Sequence, residues 1–168
     1  MMNMPYHKRF WNQLKELKVH YYYVQNYAAS QNRYDQVINI LLAITSSTSI
    51  AVWALRPEYD FICACILAAS QVIVAVKPLF PYKKRMEALN TLGESLSQLS
   101  LSAERDWYFI SESIWSDEEI HNKWTTLKSK ALAVEKKALS GLALPKNDSA
   151  LAVAEKEADS YLKSTYYS

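Results

Sequence analysis

Two apolar stretches lie almost back to back in the middle of the chain, and they limit its fold more than any other feature. Residues 37–55, VINILLAITSSTSIAVWAL, run for 19 positions without a formal charge. Residues 61–76, FICACILAASQVIVAV, do the same for 16. Only Arg56-Pro57-Glu58-Tyr59-Asp60 separates them, and a proline with three charges reads as a tight turn. At about 1.5 Å of rise per residue, the first stretch makes a helix of roughly 28 Å, close to the thickness of a bilayer's hydrocarbon. Lys77 can snorkel and extend the second stretch to residue 79. A helix facing water on one side normally carries a charged face, and neither stretch has one. Trp53, Tyr59, Phe80 and Tyr82 fall near the ends, where aromatic rings prefer an interface. These features predict a transmembrane hairpin at 37–80, with spans 37–55 and 61–79 and a turn at 56–60.

The flanks predict an orientation. Lys8, Arg9, Lys15, Lys18 and Arg33 precede the hairpin, Lys77, Lys83, Lys84 and Arg85 follow it, and the turn holds only Arg56. Basic residues favour the cytoplasmic side. The expectation is a multi-pass protein of the bacterial inner membrane with both termini cytoplasmic. No apolar stretch follows the basic N-terminus, so no cleavable signal peptide is read there.

Outside 37–80 the pattern is helical. Two glycines and five prolines in 168 residues leave few points at which helices must stop. Within the N-terminal segment, 1–36, Phe10, Leu14, Leu17, Tyr21, Val24 and Ala28 step by 4, 3, 4, 3, 4 and define one stripe. In 81–168, Leu89, Leu92, Leu96, Leu99, Ala103, Ile110 and Ile114 make a second stripe broadened by Trp107. Ser116-Asp117-Glu118-Glu119 is a capping box that starts a third helix, carrying Ile120, Trp124, Leu127, Ala131, Val134 and Ala138. Gly141 suits its end. Asn147 or Ser149 caps a last helix, whose inner face holds Leu151, Ala154, Ala158, Tyr161 and Leu162. The expected fold class is all-α: a two-helix transmembrane hairpin with a cytoplasmic helical bundle or coiled coil.

The residues carry no enzyme signature. His7, His20 and His121 are scattered, Cys63 and Cys65 sit in an apolar run, and two glycines cannot make a phosphate loop. The expectation is no enzyme, no cofactor, no metal and, at a net charge of +2, no nucleic acid. The polar residues inside the apolar stretches are more informative. Hydroxyls there can bond back to a carbonyl one turn earlier, and small residues let helices approach. Asn39, Thr45, Ser46, Ser49 and Gln71 are therefore candidates for lining a pore between copies or for packing helices together. Lys77 is a candidate for the inner mouth of such a pore, or a snorkelling lysine.

The order of parts, together with Leu144-Pro145-Lys146-Asn147-Asp148 leading into Ala154-Glu155-Lys156-Glu157-Ala158 and the tyrosine-rich tail, resembles the SLATT family. These are two-transmembrane effector domains associated with bacterial SMODS and SLOG proteins. The resemblance implies an oligomeric pore-forming or membrane-disrupting effector of antiphage defence, triggered through its cytoplasmic helices. It implies as partners a lipid bilayer, further copies of the chain, and a sensor or second-messenger-producing protein. Alternative readings of the residues are a holin-like lysis protein, a membrane anchor for a partner complex, or a soluble helical interaction module.

Overall fold

The computed structural model describes residues 4–45, 60–79, 82–142 and 144–166. Among these residues every regular element is helical: α1 (Met4–Thr45), α2 (Asp60–Val76) with a 3-10 turn at Lys77–Leu79, α3 (Tyr82–Ser111), α4 (Asp117–Ala138) and α5 (Asp148–Tyr166). The chain divides into two compact units, one of Met1–Ala29 with Arg85–Ser168, the other of Ser30–Lys84.

The all-helical expectation holds, but the transmembrane hairpin is overturned. Among the described residues no helix is long and apolar enough to cross a membrane. α1 has 42 residues, yet its apolar part begins only at Val37 and its described helix ends at Thr45. The rest of α1 is rich in charge. α2 is apolar but has 17 residues, roughly 26 Å of helix against the ~30 Å a crossing needs. At Lys77 the backbone tightens into a 3-10 turn that contains Pro78, so the helix does not extend along 77–79 as expected. The expected spans 37–55 and 61–79, and the inner-membrane, multi-pass placement with both termini cytoplasmic, are corrected on this finding. Residues 46–59, which include most of the expected turn, lie outside the described residues.

A second difference is the length of α1. The polar segment 31–36 separates the expected amphipathic helix from the expected first span, yet helix runs through it. It contains no glycine or proline, and a change from apolar to polar side chains does not itself break backbone hydrogen bonding.

The larger unit is built as its stripes predict. Phe10, Leu14, Leu17, Val24 and Tyr27 of α1 are buried with Leu89, Leu92, Leu96, Ala103 and Ile110 of α3, and Ile120 and Leu127 of α4 join them in one core. Aromatic rings close one part of it: Trp107 stacks on Phe10 at 6.4 Å and tilts against Trp11 at 4.8 Å. Ile114, expected on the α3 stripe, is exposed instead. α3 ends at Ser111, and Ser113 takes a left-handed conformation at φ 58° that turns the chain away. The capping box is present: Ser116 Oγ accepts from the Glu119 N–H at 3.4 Å, and the Glu119 carboxylate accepts from the Ser116 N–H at 2.8 Å. Asn147 caps α5, its side-chain oxygen accepting from the Ala150 N–H at 3.0 Å.

Candidate functional site

Among the described residues of the Ser30–Lys84 unit, polar side chains take a large share of the sheltered positions. Along α1 its sheltered positions are Gln31, Asp35, Ile38, Leu42 and Thr45, stepping by 4, 3, 4, 3. Along α2 they are Cys63, Ser70, Ile73 and Lys77, which fall on one side at helical spacing. Five of these nine residues are polar or charged. Ile38, Leu42 and Ile73 are sheltered with them, but most of the large apolar side chains described here point the other way. Phe61 is 81% exposed, Val72 62% and Ile40 59%, with Val37, Leu41 and Ile62 exposed beside them. Phe61, Cys65, Ala68, Val72 and Val76 step by 4, 3, 4, 4, which puts them on the side of α2 opposite Cys63 and Ser70. In the larger unit, exposed large apolar residues such as Leu101, Leu132 and Val153 occur singly, which is ordinary for a protein surface. Their concentration among the described residues of 30–84 is not; apolar surfaces of this kind occur where proteins meet other proteins, ligands or membranes.

One end of this unit is tied by polar contacts. Lys77 Nζ donates to Asn39 Oδ1 and lies 3.6 Å from Asp35 Oδ1. The Asn39 amide in turn donates to Asp35 Oδ2 at 3.0 Å. A turn of α1 earlier, the Tyr82 hydroxyl donates to the Gln31 carbonyl. Burial pushes the Tyr82 phenol above its ordinary pKa, with the Asp35 charge adding to the effect. Together these contacts connect α1, the 3-10 turn and the start of α3 within the unit. The Lys77 and Asp35 side chains keep 40% and 29% of their exposure, so the ion pair sets position more than it adds stability, at about 1 kcal/mol or less.

The residues singled out in the sequence separate into distinct groups here. Asn39 and Lys77 come together, through an aspartate that the sequence reading passed over. Asp35 stands one helical turn before Asn39, and this spacing to an amide was the available signal. Thr45 is half-buried, its hydroxyl donating to the Leu42 carbonyl at 3.0 Å. Gln71 is exposed, on a different side from Asn39's cluster at Lys77. Ser46 and Ser49 lie outside the described residues. Ser70 behaves like Thr45: it is buried, and its hydroxyl donates to the Leu67 carbonyl at 2.8 Å. Cys63 is a buried free thiol and Cys65 an exposed one.

Among the described residues no group of three or more histidine, cysteine or acidic side chains could hold a metal ion. The described surface depression of the larger unit, about 500 Å³ between α1 and α5, is lined by Trp11, Lys15, Asp159, Leu162 and Lys163. Its carboxylate is engaged by both lysines, at 3.6 Å from Lys15 and 2.7 Å from Lys163. These hydrogen bonds, that of Lys163 foremost, hold the Asp159 carboxyl below its usual pKa. Comparison of the chain with protein-family models, with curated proteins and with solved structures finds no match.

Proposed function

We propose that this protein is a non-enzymatic, self-assembling helical module whose copies associate through the outward apolar faces of the Ser30–Lys84 unit. The observation that carries this reading is the run of large apolar side chains left exposed on the described helices of that unit, Phe61, Val72 and Ile40 foremost. Fully burying a side chain of the valine, isoleucine or phenylalanine class contributes about 1.5–3 kcal/mol. A face with Phe61 and Val72 at its ends and Cys65 and Ala68 between them offers large side chains next to small ones, the alternation helices need to interlock. A second copy presents the same face, so a two-fold contact is complementary in chemistry without any further partner. The effector role implied by the SLATT resemblance is compatible with this surface, since an effector triggered by assembly needs a face through which copies meet.

The test is the mass of the full chain in solution, measured by sedimentation or light scattering. The unaltered chain is expected to form a defined oligomer. The double variant Phe61→Lys, Val72→Lys should be monomeric with unchanged helical content. A monomeric wild type, an unchanged mass in the double variant, or quantitative transfer of monomers onto phospholipid vesicles would each overturn self-assembly through this face.

A further inference from the structure

From Phe61 to Val76 the helix α2 carries no charged side chain, and its own chain covers little of it. Along this stretch Cys63 and Ser70 are buried and Ile73 is half-buried, while the other side chains are exposed. The exposed ones do not share a single direction. Successive residues of an α-helix are turned by about 100°. Measured from Phe61, Val72 lies at about 20° and Cys65 at about 40°, which marks the face described above. Ile62 and Ile66 lie at about 100° and 140°, on one flank of that face. Val74 and Leu67 lie at about 220° and 240°, on the other flank. Cys63 and Ser70, the buried pair, fall at about 200° and 180°, in the narrow sector between the flanks.

The flanks are as open as a surface position elsewhere: Ile62 is 56% exposed and Val74 52%. The exposed apolar surface therefore runs about 280° round the helix. A helix set against one surface hides a stripe of roughly 100°, and a helix apolar nearly all round belongs in an interior. One neighbour is too little for α2.

The surface also describes what covers it. Ala64, Cys65, Ala68, Ala69 and Ala75 lie between the large side chains and leave room for another helix to come close. With no charge along it, the surface matches an uncharged helix, and another copy of α2 is one. On the second flank, Leu67 and Val74 stand four positions before and three after Gln71, which is exposed near them. A two-fold axis beside Gln71 sets Leu67 of one copy against Val74 of an antiparallel copy, and sets the two Gln71 amides together. An amide both donates and accepts, so it is complementary to its own copy.

We propose that α2 is enclosed by two further copies of itself, one on each flank, in a closed assembly of at least four chains. The Ile62–Ile66 flank meets the same flank of one neighbour, and the Leu67–Val74 flank meets the same flank of the other. Two different two-fold contacts on each chain first close at four copies. Phe61 and Val72, between the flanks, face both neighbours. The inference rests on the self-assembly proposed above and adds the number of copies and the sides through which they meet.

Sedimentation equilibrium of the full chain tests it, with circular dichroism to show that helical content is kept. The unaltered chain should have at least about four times the mass of one chain. The pair Ile62→Lys, Ile66→Lys should fall to about twice that mass, and so should Leu67→Lys, Val74→Lys, because each leaves one flank intact. The uncharged pairs Ile62→Ala, Ile66→Ala and Leu67→Ala, Val74→Ala should fall to the same mass at higher protein concentration than the unaltered chain does. A wild type of two-fold mass that neither flank pair alters would overturn this inference and leave association through Phe61 and Val72 standing. A flank pair that keeps the full mass would overturn the role of that flank, and a monomeric wild type would overturn self-assembly itself.

Discussion

Replacing Gly93 with alanine should stabilise the larger unit. Gly93 lies inside α3, half-buried, with ordinary helical backbone. A glycine there costs about 1 kcal/mol relative to alanine, because the unfolded chain has more freedom to lose. The sign depends on whether a methyl group fits. An ideal Cβ at Gly93 would lie 3.7 Å from Cγ1 of Val24, an ordinary van der Waals contact that requires no neighbour to move. The expected gain is therefore close to the full propensity difference, about 1 kcal/mol, or a rise in melting temperature of about 2–5 °C for a unit of this size. Urea unfolding followed by circular dichroism measures the first quantity, and a thermal scan the second. Gly141→Ala is the matching control. Its φ of 76° lies where an L side chain is strained, so the same chemical change should destabilise by about 1 kcal/mol. If Gly93→Ala is neutral or destabilising, α1 and α3 pack more closely at that point than the Val24 contact indicates, and the reasoning fails.

Further outcomes follow from the polar contacts. Ser116→Ala should cost about 1 kcal/mol in urea unfolding, by removing the cap of α4. The same cap shapes acid sensitivity: hydrogen bonds from the Ser116 backbone and then its side chain hold Glu119 below its ordinary 4.5. Its contribution is complete above that value and is lost as pH falls through the lower folded pKa, so the acid limb of stability should shrink in Ser116→Ala. Lys18→Met should destabilise by about 1.5–3 kcal/mol, because the Glu104 carboxylate loses its charged partner and keeps the Tyr161 hydroxyl. Lys18→Met with Glu104→Met should recover much of that loss, and equal losses in single and double variants would argue against a coupled pair. Burial, with help from the Glu104 charge, pushes the Tyr166 phenol up to about 12. Its share of stability is intact below pH 10 and disappears as pH rises toward 12; a Tyr166→Phe variant should lack that phase in an ultraviolet titration of the tyrosines.

Much of the larger unit was legible because local signals agreed. The Phe10–Leu14–Leu17–Val24 stripe, the Leu89–Leu92–Leu96 stripe and the Ser116–Glu119 box each state one helix face or one helix start, and each is found. Ile114 was misplaced because hydrophobic spacing continues past a helix end that only the left-handed Ser113 reveals. The 30–84 unit was harder. An uncharged stretch does not distinguish a bilayer from another apolar surrounding, and the 3-10 turn at Lys77 is invisible in a hydropathy count. Asn39 and Lys77 are each legible alone, but their meeting beside Asp35 joins residues 38 apart in sequence. On the inner face of α5, Ala154, Ala158 and Leu162 are buried as read, while Ala150 is buried there and Leu151 and Tyr161 only partly so.

The exposed apolar side chains of the Ser30–Lys84 unit also bear on how it holds together at all. A domain ordinarily keeps its water-averse side chains for itself, and its folding is then indifferent to how much of it is in the tube. Phe61, Ile40 and Val72 are exposed on their own helices, so, with copies covering them as proposed, dilution becomes a denaturing variable for the Ser30–Lys84 unit. Two melting transitions should separate as protein concentration falls, the one from the Phe10–Leu96 core staying where it is and the other drifting downward.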